Sequence, residues 1–326
     1  MILVLSREDD AHAGAVEDEL RRLDASVVRF DPARYPSRAD LSVQIDRHGR
    51  ASAVLRDGDA EIAFDDVTAV WWRRPQPPRA APALSSTAAA TEVEAEAADV
   101  LAGVWEMLDV PFVPATPGVL TRAAHKLHQL SLAGRLGFEI PGTLVTNDPE
   151  AFLNHYADAS GRLITKRAAR SQRITTADGR VTGRATLAVR PGDLVAVESL
   201  RLAPIMTQVM IDKAFEVRAT VVGTEVFAAA IHSQETHHTR VDFRSYDHAH
   251  TRITPYALPG DVGDRCIALT QSLGLRYSAI DLIVTPEGRV VFLEINPAGQ
   301  YLWIEKATGL PISQRLATLL ITRGGS

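Results

Sequence analysis

SAIDLIVTPEGRVVFLEINP, residues 278–297, is the stretch whose reading decides the fold of this 326-residue chain. Two runs rich in β-branched and aliphatic residues flank Pro286-Glu287-Gly288-Arg289, a sequence suited to a turn, so the segment reads as a β-hairpin. If those four residues form the loop, Thr285 pairs with Val290, and counting back sets Asp281 directly opposite Glu294 on one face. Ile280, Leu282 and Val284 then meet Val291, Leu293 and Ile295 on the other face, an apolar surface that can pin the register against a core. A slip of one residue would bury both carboxylates.

Like charges directly across a ladder destabilise it unless something positive lies between them. A divalent cation would remove the conflict between Asp281 and Glu294. Asn296, two residues on, returns to the same face and adds an amide oxygen, completing a hard, all-oxygen set suited to magnesium with bound phosphates. A solvated acidic face is the ordinary alternative for an Asp and Glu pair; the pinned register and the third oxygen favour the metal.

Outward from the hairpin, 46% hydrophobic and 23% charged residues describe a globular chain with enough material for two or three packed units. A net charge of −5 exerts no whole-protein pull on nucleic acid. The start, MILVLSREDD, is too briefly apolar for a signal peptide or a membrane span, and the lone Cys266 fits a reducing compartment, so a cytoplasmic location is expected. Ile2–Leu5, a helix near His12–Leu23 and Ser26–Phe30 read as a βαβ start without the glycine spacing of a dinucleotide site. Short antiparallel strands around an Asp57–Asp59 turn, the apolar VTAVWW and a helix over Glu92–Leu108 follow. The proline-rich VPFVPATPG reads as an extended connector and places a boundary near residue 115. Beyond it, Thr121–Leu136 reads as one helix, and the chain divides into units at 1–115, 116–205 and 206–326.

In FEVRATVVGTEVF the Gly223-Thr224 turn makes a tight hairpin whose alternation puts Glu216 and Arg218 on one face and Val217, Ala219 and Val221 on the other. Arg218 therefore faces a polar site, steadying a transferred phosphate, or else pairs with Glu216. Asp242 and Arg244, at i and i+2 of an extended run, can address one ligand or satisfy each other. Between Arg162 and Arg190 lie eight basic residues and one acid, Asp178, a local positive stretch that suits phosphates or an acidic peptide as well as it suits a solvated loop. The histidines His232, His237, His238, His248 and His250 have neither helical spacing nor a thiolate partner, so they read as loop residues and not as a zinc site. No Ser-His or Cys-His arrangement suggests a covalent nucleophile.

With its trailing GQYLW, the carboxylate hairpin resembles the metal-binding end of the ATP-grasp superfamily. Lys126 in AAHKLHQL and Lys166 in RLITKRA look like its two phosphate-binding lysines, and IMTQVMIDKAF looks like its hinge strand, implying adenine contacts around Gln208, Val209, Ile211 and Asp212. The resemblance covers about two thirds of the chain and implies an α/β (α+β) ATP-grasp fold behind an N-terminal pre-ATP-grasp α/β domain. VWWRRP at residues 70–75, DKAFEVRATVVG and the GQYLWIEKATG tail are similar to the graspetide synthetases, macrocycle-forming members of that superfamily, whose Asp-x-Arg pair matches Asp242 and Arg244. One departure is the loop after Lys166, where Gly179 and Gly183 stand apart instead of forming the paired glycines that cover phosphates elsewhere.

Membership implies ATP and Mg2+ as cofactors and a ribosomal precursor peptide, with leader and acidic core, as partner. A side-chain carboxylate of Asp or Glu would be phosphorylated and then captured by Thr, Ser or Lys as an ω-ester or ω-amide. Lys126 and Lys166 would take the phosphates, Asp281, Glu294 and Asn296 the magnesium, and Arg218, Asp242 and Arg244 the reacting groups. Neither nucleic acid nor membrane is expected as a partner, and a homodimer is compatible with the sequence. A ligase adding a free amino acid to a protein or peptide terminus, and a peptide-binding module without catalysis, are the alternative expectations.

Overall fold

The computed structural model describes residues 1–84, 86–166, 174–175, 181–182, 186–235 and 251–322. The N-terminal part opens with β1 (Ile2–Leu5), α1 (Ala11–Arg22) and β2 (Val27–Phe30). A small antiparallel meander follows, β3 (Ala39–Ile45), β4 (Ala51–Asp57) and β5 (Ala60–Ala63), and the chain returns through β6 (Ala69–Trp72), α2 (Thr87–Glu106) and β7 (Phe112–Val113). The main strands are parallel in the order β2-β1-β6-β7, so the proline-rich connector contributes the edge strand of this sheet through Phe112 and Val113. The αβ alternation has a simple cause. In α1, Ala13, Val16, Glu17 and Leu20 are buried at helical spacing, and buried Glu17 is neutralised by Arg29 of β2 at 2.6 Å.

The middle of the chain runs through α3 (Pro117–Ala123), α4 (Lys126–Arg135), β8 (Thr143–Thr146), α5 (Pro149–Asp158) and β9 (Leu163–Lys166). After β10 (Ile174–Thr175), β11 (Val181–Thr182) and β12 (Leu187–Ala188), a long 3-10 segment, Pro191–Leu202, leads into β13 (Ile205–Val209), and the strands β12-β9-β13-β8 form an antiparallel sheet. The last part holds β14 (Phe215–Val222), β15 (Glu225–Ile231), β16 (Ile253–Pro255), α6 (Gly260–Ser272), β17 (Tyr277–Val284), β18 (Val290–Asn296), α7 (Leu302–Thr308) and α8 (Ile312–Ile321), with the sheet ordered β16-β15-β14-β17-β18.

Each face of this five-stranded sheet has its own cover. Val217, Ala219, Val221, Ile280, Leu282, Phe292 and Ile295 pack with residues of α4 and α6. On the other side, Val222, Ala229 and Tyr277 share a core with α7, α8, α1 and strands β1 and β6, so α8 sits between the C-terminal sheet and the N-terminal part. Trp71 belongs to that shared core, while its neighbour Trp72 turns the other way and meets Trp105 of α2 edge-on at 6.3 Å.

Two expectations are corrected. The helix read over Thr121–Leu136 is two helices, α3 and α4, interrupted at Ala124 and His125, where His125 adopts an extended conformation with ψ 107°. Pro117 starts α3 early, as proline at a first helical turn does. The long helix read from Glu92 begins instead at Thr87, because Ser86 accepts the Ala89 N–H and caps it.

Candidate active site

The carboxylate hairpin forms, with a register reached by a different route. The turn pairs Val284 with Val290, enclosing one residue more than expected, and the pairing runs Leu282 to Phe292 before an irregularity restores Asp281 opposite Glu294. Leu293 is the extra residue of a β-bulge. The consequence is that Phe292, and not Leu293, joins Leu282 and Ile295 in the core shared with α4 and α6, while Val291 is buried outside that cluster. The bulge lets an apolar strand face its core on both sides of the irregularity and still present Glu294 next to Asp281.

Both carboxylates are buried, Asp281 to 3% and Glu294 to 6% exposure. Asn296 Nδ2 donates to Asp281 Oδ2 at 3.2 Å and to Glu294 Oε1 at 3.3 Å. Arg218 Nη1 lies 3.2 Å from Asp281 Oδ1, its residue standing opposite Asp281 in the β14–β17 ladder. Lys126 Nζ lies 3.1 Å from Glu294 Oε2. Among the described residues the repulsion between the acids is met by two cations and an amide, so Lys126 and Arg218 supply positive charge of the kind expected beside them. The alternative of a solvated acidic face fails on burial, and the alternative pairing of Arg218 with Glu216 fails on geometry. Glu216 pairs instead with Lys213 at 2.5 Å, and the Arg218 guanidinium lies 5.9 Å from the ring centre of Trp303 on α7.

The break between α3 and α4 is what delivers Lys126. It makes this lysine the first residue of α4, and buried Gln129 locks the arrangement to the hairpin. Gln129 Nε2 donates to Ala123 O at 2.7 Å and to Ile295 O at 2.9 Å, and Gln129 Oε1 accepts the Ile295 N–H at 3.3 Å. One side chain thus satisfies an orphan carbonyl at the end of α3 and clamps α4 to the strand carrying Glu294.

The remaining sequence-derived candidates fall into three groups. Lys166 ends β9 beside Met206 of β13. Gln208 is buried within β13 and donates to Thr143 Oγ1 at 3.0 Å; Val209 N and Met210 N donate to Gly142 O and Arg162 O, so those two amides serve the sheet before the chain passes through Ile211. Asp212 is exposed and pairs with Arg162 at 2.5 Å, a contact that holds its carboxyl below the usual range. Asp242 and Arg244, the four histidines His237, His238, His248 and His250, and both glycines of the loop after Lys166 lie outside the described residues. His232 of that histidine group is described and contacts Thr254 Oγ1 at 3.4 Å.

The donor chemistry fits magnesium. Asp281 and Glu294 supply carboxylate oxygens on one face, and a half-turn of the Asn296 amide exchanges its NH2 for Oδ1 at the same place.

Immediately after Asn296 the chain makes a tight loop that sequence reading left unassigned. Gly299 N donates to Asn296 O at 3.1 Å and Tyr277 Oη donates to Gly299 O at 2.7 Å. A Cβ on Gly299 would stand 2.2 Å from the Cβ of Ala279, inside the strand paired with Asn296. Gly299→Ala is therefore expected to push the loop off the hairpin, lowering the unfolding free energy from urea titration by roughly 1–3 kcal/mol. A variant as stable as wild type would show that the loop yields freely.

Residues 1–115 match the MvdD pre-ATP grasp domain family and residues 129–320 match the RimK-like ATP-grasp domain family. The chain belongs to the RimK-like ATP-grasp family and has its fold. Among solved structures it is similar to the macrocyclase MdnC from Microcystis aeruginosa MRC bound with precursor peptide MdnA, at 29% identity and TM-score 0.86 over 98% of this chain and 99% of that one. It is also similar to a Chryseobacterium gregarium RiPP-associated ATP-grasp ligase in complex with ADP and a leader and core peptide, at 28% identity and TM-score 0.91 over 99% and 96%. A probable alpha-L-glutamate ligase of Klebsiella pneumoniae (strain 342) is 28% identical over 202 residues, 60% of this chain; the chain spans 63% of the length of that curated relative. Among the described residues no helix is long and apolar enough to cross a membrane.

Proposed function

We propose that this protein is a cytosolic ATP-dependent ligase that phosphorylates Asp or Glu side chains of a ribosomally made precursor peptide and closes them into ω-ester or ω-amide macrocycles. The observation that carries this reading is the extent of the likeness. Residues 1–115 match the MvdD pre-ATP grasp domain family, and the peptide-bound macrocyclase superposes along 98% of the chain at TM-score 0.86 and 29% identity. That likeness favours a peptide side chain over a free amino acid as the group to be joined.

In the division into residues 1–115, 116–205 and 206–326, the second and third units grip ATP between the β12-β9-β13-β8 sheet and the carboxylate hairpin. Lys126 and Lys166 neutralise the phosphates, and the linker from Gln208 to Asp212 contacts adenine. Asp281, Glu294 and Asn296 hold magnesium, which when bound supplies positive charge to the β- and γ-phosphoryl oxygens. Arg218, fixed by Asp281 and by the Trp303 ring, meets the charge that grows on the phosphoryl group as a substrate carboxylate takes it. Asp242 and Arg244 address the acceptor region of the peptide. The hydroxyl or amine of a neighbouring peptide residue then displaces phosphate, and the buried setting of the cluster keeps water from doing so first.

The test is to incubate the protein with ATP, Mg2+ and a linear Thr-, Asp- and Glu-rich peptide encoded beside its gene, with and without free glutamate. ADP release with loss of one water per ring from the peptide is the expected result. A product heavier by a glutamate residue would move the protein to amino-acid ligation, and tight binding of ATP and peptide without ADP would make it a binding module.

A further inference from the structure

Two side chains of the N-terminal part, linked by a third, reach across the molecule to the segment that follows Asn296. Arg73 Nη1 donates to Ala298 O at 3.2 Å. His12 Nε2 accepts the backbone N–H groups of Tyr301 and Leu302, each at 3.3 Å, and its ring meets the Tyr301 ring edge-on at 5.1 Å. Asp10 ties the two together, with Oδ1 3.5 Å from His12 Nδ1 and Oδ2 3.5 Å from Arg73 Nε. Asp10 also caps α1, accepting the N–H groups of His12 at 2.8 Å and Ala13 at 3.1 Å.

The protonation states agree with this arrangement. Burial opposes the charge on Asp10, but the bond from His12, the Arg73 guanidinium and the Ala13 N–H together hold its carboxyl well below the usual range. Burial, with the Arg73 and Arg74 charges, depresses His12 against the pull of Asp10. A neutral imidazole with its proton on Nδ1, facing Asp10, leaves the Nε2 lone pair to accept from Tyr301 and Leu302. The segment so held joins Asn296, whose amide touches both carboxylates, to Trp303, whose ring lies against Arg218.

We propose that Asp10, His12 and Arg73 are positioning residues for the metal end of the active site, clamping the Ala298–Leu302 segment so that Asn296 and Trp303 keep their places beside Asp281 and Arg218. The inference rests on the metal assignment proposed above. A shift of an ångström in a ligand-bearing segment is enough to degrade a site, and supporting contacts of this kind act on metal affinity more than on folding. The clamp also joins the N-terminal part to the segment that follows the carboxylate hairpin, since its donors and acceptors come from opposite ends of the chain.

The test compares Mn2+ binding in the presence of ADP, read from the free-Mn2+ electron paramagnetic resonance signal, with the thermal midpoint of the same samples. His12→Phe keeps the ring and removes the acceptor, and is expected to weaken Mn2+ binding about 10-fold. His12→Gln returns an oxygen acceptor to the Nε2 position and is expected to bind within about twofold of wild type by the same measure. Arg73→Lys keeps a charge beside Asp10 but loses the fork that reaches Ala298 O, and is expected to resemble His12→Phe. Wild-type Mn2+ binding by folded His12→Phe and Arg73→Lys, or His12→Gln as weak as His12→Phe, overturns the clamp while leaving the metal assignment standing. Failure of the wild-type protein to bind Mn2+ with ADP overturns the metal assignment and the clamp with it.

Discussion

Glu294→Gln is expected to lower magnesium-dependent ADP formation by about three orders of magnitude, equivalent to roughly 4 kcal/mol of transition-state stabilisation. Glutamine has nearly the same shape, so the β-bulge that presents residue 294 and the packing of Phe292 and Ile295 on either side are retained. What changes is the charge. A neutral amide offers one oxygen where the carboxylate offers two, and it no longer draws Lys126 from 3.1 Å away. The variant should keep the wild-type circular dichroism spectrum and stay within about 1 kcal/mol of wild type in urea. Turnover near the wild-type rate would remove Glu294 from the metal site, and with it the proposed nucleotide chemistry.

Arg218→Ala is expected to damage both folding and catalysis. Arg218 is buried beside Asp281, and deleting one member of a buried ion pair leaves the other to bear its desolvation with less compensation, at roughly 3 kcal/mol or more. The same deletion removes the charge proposed to meet the phosphoryl group, so ADP formation should fall about 10²-fold beyond what unfolding explains. Arg218→Lys separates the two effects. A lysine restores a charge near Asp281, so stability should return toward wild type, but it cannot present the planar guanidinium that lies against Trp303, so activity should stay low. Urea midpoints and single-turnover ADP release measure the two quantities. If Arg218→Ala unfolds at the wild-type midpoint, the buried pair contributes nothing to the fold, and if Arg218→Lys is fully active the guanidinium geometry is not needed.

Local readings succeeded where a short-range rule governs. The two-residue Gly223-Thr224 turn appears as expected, with Val222 paired to Glu225 and Gly223 at φ 61°, a left-handed conformation glycine adopts without strain. Alternation along β14 correctly separated Arg218 from Val217, Ala219 and Val221. The helix break before Lys126 was not legible, because Leu127, Leu130 and Leu136 all lie beyond Ala124 and His125, and no local signal at those two residues stops their helical spacing from being extended back to Thr121. The interruption is stabilised by Gln129 reaching a strand 166 residues away, and no window on the sequence contains both partners.

The sequence by itself determined a β-ribbon carrying Asp281, Glu294 and Asn296, since turn residues and two-residue periodicity are properties of a few neighbouring peptides, but the pairing of Asp281 with Glu294 depends on the bulge. It determined the parallel βαβ opening for the same reason. Tertiary structure alone decided which cations answer those acids, because Lys126, Arg218 and the hairpin come from three separate segments whose approach depends on how helices and sheet pack. It alone decided the bulge at Leu293, where fitting Phe292 and Ile295 into one core outweighed an unbroken ladder. It alone, finally, brought His12 and Arg73 to the segment after Asn296, since hydrogen bonds between opposite ends of a chain are fixed by the shared core of α1, α8 and β6 and by no local preference.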